Sequence, residues 1–241
     1  MQYSSFLSKA CLALLVCCAL AFGAGTQANA QCSPAICDGV AFQNAFMDVE
    51  LPGFPGCTVR YEYRWRVCGN PVVVTNIEVW SMSILGPPGP CTALETYFFP
   101  GTGVDWDHIE WGFREGYNAI VRKSFLATYN GLPPSLRSSL ECPNGIATYT
   151  SSWRSCAQLL IYTYGPIGWP WPFRWRFQIR PCDDEICCTQ ETKVCYNKST
   201  GVVEETHTWT YGNYGECGAP PPTPPNVWYA SECLPWCVES R

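Results

Sequence analysis

The chain has 241 residues, with 15 Lys and Arg against 20 Asp and Glu, 17 cysteines and an aromatic content of 15%. The acidic balance and the lack of any basic run argue against nucleic acid or anionic lipid as a partner. Hydrophobic residues make up 47% and charged ones only 15%, which excludes the composition of a disordered chain.

At the N-terminus, Lys9, an apolar run over 10–24 and the Ala28-Asn29-Ala30 site predict a signal peptide over 1–30, leaving a mature chain that starts at Gln31. The run of about 15 apolar residues is shorter than the roughly 20 a spanning helix needs, so no membrane insertion is expected after cleavage. Cys11, Cys17 and Cys18 leave with the leader, and 17 less these three leaves 14. An even number in an exported chain fits a set of disulfides formed in an oxidising compartment, periplasmic or extracellular. C-x-x-C and C-x-x-H spacings are lacking, which argues against zinc. No cofactor is expected.

The clearest strand is 58–68, where Val59, Tyr61, Tyr63, Trp65 and Val67 alternate with Arg60, Glu62, Arg64 and Arg66. A period of two places the apolar set on a core and the charged set in solvent. Phe173, Trp175, Phe177 and Ile179 repeat the pattern against Arg174, Arg176, Gln178 and Arg180. Further strands are predicted over 72–84, 93–99, 146–164, 187–197 and 201–211, separated by Gly, Pro and Asn clusters. Ile109, Phe113, Ile120, Val121 and Phe125 recur at helical spacing and predict one main helix over about 107–129, with Asp105 or Asp107 capping its first turn. A short helix over 135–140 follows. The fold class expected is α+β, dominated by antiparallel sheet, with a strand-rich domain over 31–181 and a disulfide-rich hairpin unit over 182–241 that can belong to the same domain.

An internal hairpin repeat is expected as well. Cys68, Asn70, Val73, Val74 and Trp80 match Cys195, Asn197, Val202, Val203 and Trp209 in type and spacing, and each set follows a Cys-Thr pair. The ends of an extended 58–67 strand lie on the order of 30 Å apart, so Cys57 cannot bond Cys68. A hairpin returning beside Cys57 predicts Cys57–Cys91 and, by repetition, Cys188–Cys217 and Cys142–Cys182. The Pro-rich segment 219–225 reads as a stiff polyproline II crossing to a last strand near 227–232.

No nucleophile elbow, H-E-x-x-H or phosphate loop is present. Asp105, Asp107, His108 and Glu110 form the densest polar cluster, and read either as a helix start favoured by the dipole or as an acid/base or metal site. Asp183-Asp184-Glu185 is an acidic turn without calcium-loop spacing. His207 is expected at the surface, and Asn197-Lys198-Ser199 matches a glycosylation sequon on a hairpin turn. The most suggestive group is aromatic: Tyr162, Tyr164, Trp169, Trp171, Phe173 and Trp175 crowd a Gly/Pro-punctuated hairpin. Phe173 and Trp175 are read as core, whereas Tyr164, Trp169 and Trp171 are candidate ligand-binding residues, since rings at a loop tip stack on sugars or anchor a protein surface. The function expected is a secreted or surface-associated, non-enzymatic domain with a structural, adhesive or ligand-binding role. The alternatives are a hydrolase using the carboxylates of 105–110 and a protease-inhibitor or toxin-like effector.

Overall fold

The structure is a computed structural model that describes residues 32, 34–69, 73–85, 89–101, 103–163, 173–182, 187–210 and 217–236. The predicted leader, the tip residues Tyr164, Trp169 and Trp171, and Asp183-Asp184-Glu185 lie outside the described residues. Residues 32–241 cluster as one compact unit.

Nine strands form one sheet: β1 Gln43–Glu50, β2 Thr58–Cys68, β3 Val74–Leu85, β4 Ala147–Arg154, β5 Cys156–Thr163, β6 Phe173–Pro181, β7 Cys187–Asn197, β8 Val202–Thr210 and β9 Tyr229–Pro235. Their order is β8-β7-β4-β3-β6-β5-β9, with β2 and then β1 on the other edge of β3. Most pairs are antiparallel, but β3 and β4 run parallel over 74–76, so the sheet is mixed. Only Ser155 separates β4 from β5. This long strand leaves β3 after Thr150, and β6 occupies the widening gap, pairing with β3 over 81–85 and with β5 along its length.

Among the described residues three α-helices accompany the sheet: α1 Thr92–Phe98, α2 Trp106–Gly131 and α3 Pro134–Arg137. The main helix matches the predicted spacing, with Asp105 accepting a bond from the His108 amide as N-cap. The segment predicted as a strand over 93–99 is instead α1. Leu94 and Phe98, four residues apart, are both fully buried, and the Thr96 hydroxyl bonds back to the Thr92 carbonyl. A short apolar run carries either period, and here docking on the core selects the helical one. The predicted helix over 135–140 is α3 followed by a 3-10 turn, Ser138–Leu140.

Helix α2 covers one face of the sheet, burying Ile109, Phe113, Tyr117, Ile120, Val121 and Phe125 against Val59, Tyr61, Met82, Ile84, Ile161 and Phe177. The closest approach lies at Gly112 and Gly116, where the Tyr61 hydroxyl donates to the Gly112 carbonyl at 2.7 Å. A Cβ on Gly116 would fall 2.1 Å from Tyr61 Cε1, so no other residue fits there without displacing the ring.

The opposite face departs from the expectation that its charges point to solvent. Arg66 and Arg176 are buried, at 7% and 6% exposure. Arg66 donates to the carbonyls of Cys37 and Val40 and stacks on Phe42, while Arg176 donates to Ser81 and to Glu62. Such side chains bury their stems and keep part of their hydrogen bonding when the chain folds over them, with Arg66 Nη2 left without a hydrogen-bond partner.

Six disulfides join described residues: Cys32–Cys187, Cys37–Cys68, Cys57–Cys91, Cys142–Cys195, Cys156–Cys217 and Cys182–Cys233. They correct the pairings inferred by repetition. Cys217 is bonded to Cys156 and not to Cys188, which is itself disulfide-bonded. Cys142 is bonded to Cys195 and not to Cys182. The Cys142 amide donates to the Tyr196 carbonyl, and this holds the two Cα atoms of the Cys142–Cys195 bridge 5.2 Å apart. Cys182 lies at the β5–β9 edge, where it meets Cys233. Spatial neighbours, not positions within a hairpin, decide each bond. This disulfide set is that of a domain stabilised in an oxidising, extracytoplasmic compartment. No helix among the described residues is long and apolar enough to cross a membrane.

Candidate functional site

The polar cluster at 105–110 is taken up by local structure. Asp105 caps α2, and its second oxygen lies 3.3 Å from His108 Nδ1. That nitrogen is also 2.7 Å from the Tyr97 carbonyl, and the imidazole stacks on the Tyr97 ring at 3.6 Å. With Nδ1 facing a carbonyl acceptor, it carries the proton, which orients the ring but leaves it no second carboxylate to work with. Glu110 is buried and ion-paired to Arg114 one turn along the helix. Asp105 and Glu110 are therefore each engaged with a different local partner.

His207 sits at the surface with its ring turned inward. Nδ1 lies 3.0 Å from Thr192 Oγ1 and 3.2 Å from Gln190 Nε2. Amide nitrogen can only donate, so Nδ1 accepts and Nε2 carries the proton, 3.7 Å from Glu205. The Thr192 hydroxyl is fully buried, so this carboxylate–imidazole–hydroxyl line offers no accessible nucleophile. The cluster with metal-ligand proximity among the described residues is Cys142, Cys195 and Glu204, within 4.8 Å. Its two sulfurs are joined in a disulfide and cannot act as thiolate ligands.

The arrangement that remains is aromatic, at the base of the β5–β6 hairpin. Phe99, at the end of α1, meets Trp175 of β6 with ring centroids 4.6 Å apart, and Phe177 at 5.8 Å ties it to the core. Trp228 packs edge-on against both, 5.2 Å from Trp175 and 6.0 Å from Phe99. Its amide donates to the Ile161 carbonyl, which fixes the start of β9 against β5. Trp228 nevertheless remains 54% exposed and Tyr229 37%. A large ring braced at the surface is a preformed platform, and it keeps apolar area in water that burial would otherwise remove.

Polar groups border this platform. Arg174 Nη1 of β6 lies 3.1 Å from Glu95 Oε1, one turn before Phe99 in α1. The two atoms attract, but neither makes a well-aligned hydrogen bond and both are buried. Burial raises the Glu95 pKa, and the Arg174 guanidinium opposes that shift.

Trp175, read as core, is half-buried and joins the platform from beneath. Trp228 and Tyr229 escaped the sequence reading as site residues. The only signal was their position directly after the Pro-rich segment, where Asn226 takes a left-handed conformation at φ 66° and aims the following rings. Compared with known proteins, the chain matches no family model, no curated protein and no solved structure.

Proposed function

We propose that this protein is a secreted or surface-associated, non-enzymatic binding domain that holds a glycan on the aromatic platform formed by Trp228, Tyr229, Trp175 and Phe99. The observation that carries the reading is the exposed Trp228 ring, braced by two aromatic neighbours instead of free to fold away. Sugars present C–H faces that stack on such rings. Tyr164, Trp169 and Trp171 lie in the sequence between β5 and β6, and their rings are further candidates for the same ligand.

Glycan-array binding tests this. Trp228→Ala is expected to lower binding at least tenfold, with Trp169→Ala and Trp171→Ala adding to the loss. Undiminished binding by Trp228→Ala would remove the platform from the proposal. A protein surface anchored on the same rings is the second reading, favoured if no glycan binds and pull-down retains a partner that Trp228→Ala loses. Export is read from the leader, and N-terminal sequencing of the secreted protein is expected to begin at Gln31. The correspondence of Cys68, Asn70 and Trp80 with Cys195, Asn197 and Trp209 is read as duplication of a hairpin. In support, β2–β3 and β7–β8 are both antiparallel pairs of the one sheet.

A further inference from the structure

The sheet forks beside β3. On the edge facing β4 and β6, β3 pairs with β4 over 74–76 and with β6 over 81–85, and among the described residues no strand pairs with 77–80 on that edge. Ser151 is the first residue of β4 past the fork. Beneath α2 at this place, four buried polar atoms have no hydrogen-bond partner: Tyr117 Oη, Ser151 Oγ, Trp153 Nε1 and Gln190 Oε1. Their residues are 0, 0, 7 and 2% exposed.

The four are neighbours. Ser151 and Gln190 oppose each other directly across β4 and β7, so their side chains share the helix-covered face. Trp153 lies two residues along the same face, and the Tyr117 ring meets it edge-on with centroids 6.0 Å apart. Asn118, next to Tyr117 on α2, accepts from Gln190 Nε2 at 3.3 Å and leaves Oε1 over. Burial raises the pKa of the Tyr117 hydroxyl and the nearby Thr192 hydroxyl opposes that shift, yet no bond of acceptable geometry joins the two.

An orphaned buried polar group costs about 1–3 kcal/mol, so a guest that satisfies several of these four at once is favoured. The indole N–H can only donate, the amide oxygen can only accept, and the two hydroxyls do either. A cation would face the indole donor. An anion would face the amide oxygen and the nearby Glu205, which is 9% exposed and held by Arg122. A neutral molecule that both donates and accepts fits all four.

We propose that the fork of the sheet encloses an internal hydration site, in which one or two ordered waters bridge Tyr117, Ser151, Trp153 and Gln190 beneath α2. Buried waters of this kind make two to four hydrogen bonds and are part of the fold. A high-resolution crystal structure of the purified protein is expected to show water within hydrogen-bond distance of at least two of the four atoms. An empty site, a non-water molecule, or the four atoms bonded directly to one another would overturn the proposal. Thermal unfolding of Tyr117→Phe gives an independent readout. Removing a hydroxyl that holds water is expected to lower the melting temperature, whereas an unchanged or higher value means the hydroxyl had no guest and overturns it.

Discussion

On the helix-covered face of the sheet, Tyr61 of β2 reaches across to the backbone of α2 at Gly112. On the open face, one residue away in the same strand, Arg60 pairs with Asp48 at 2.6 Å on the neighbouring strand and lies over the Phe46 ring. Both contacts come from one alternating pattern, but they differ in what replaces them when they are lost. A ring seated in a helix groove has no alternative partner, and its loss leaves a void or a clash. An ion pair whose carboxylate is 39% exposed exchanges that partner for water at modest cost. The open face nonetheless contains both kinds of charge, since Arg66 and Arg176 are buried where Arg60 is not. Depth, more than charge, separates structural from dispensable contacts here.

Gly116→Ala tests the covered face most severely. Its Cβ would meet Tyr61 Cε1 at 2.1 Å, and unfolding experiments are expected to show a loss of about 3 kcal/mol, at the upper end for overpacking. Gly131→Ala, in the last turn of the same helix and with nothing within 4 Å, is the control and is expected to leave stability unchanged or slightly raised. An equal loss at both positions would mean that helix propensity, not the Tyr61 seat, governs α2.

Arg176→Ala probes the buried part of the open face. It removes bonds to Ser81 and Glu62 and the stacking on Trp80, and a loss of about 2 kcal/mol is expected in denaturant unfolding. A loss as small as that expected for Asp48→Ala would erase the distinction drawn between deep and shallow charges.

Glu78 sharpens the same comparison through pH. Burial raises its carboxyl above the ordinary value of 4.5, although Arg64 pulls the other way. The folded state therefore holds the proton more tightly than the unfolded one. The stability this gives is fully present below pH 4.5 and is lost as pH rises through the raised folded value. The stability difference between the wild type and Glu78→Gln, measured across that window, is expected to fall with rising pH. A difference that grows with pH would mean that the Arg64 pair outweighs burial. The smallest effect is expected from Asp48→Ala, below about 1 kcal/mol and reduced further by salt, since the Asp48 side chain is 39% exposed.

Sequence periodicity located β2, β6 and the main helix because each is specified by its own residues. Tyr61 and Tyr63 declare a face by their spacing, and Asp105 declares a helix start by its side chain. The same periodicity did not assign α1 correctly from 93–99, because seven residues with four large apolar groups satisfy both periods. The aromatic platform was half legible. Trp175 stood in an alternating strand, but Trp228 meets it only because β9 returns to pair with β5 after the Pro-rich crossing.

The amino-acid sequence by itself determined the strand-rich composition and the position and cap of the long helix. Those properties arise within a few residues of one another, where sterics and side-chain spacing act directly. Only the tertiary structure decided that Cys142 meets Cys195 and Cys156 meets Cys217, that β3 and β4 run parallel before the sheet forks, and that Arg66 and Arg176 lie buried. Each of these depends on which distant segments become neighbours. That choice is made by the whole core at once, through the area it buries and the polar groups it must satisfy.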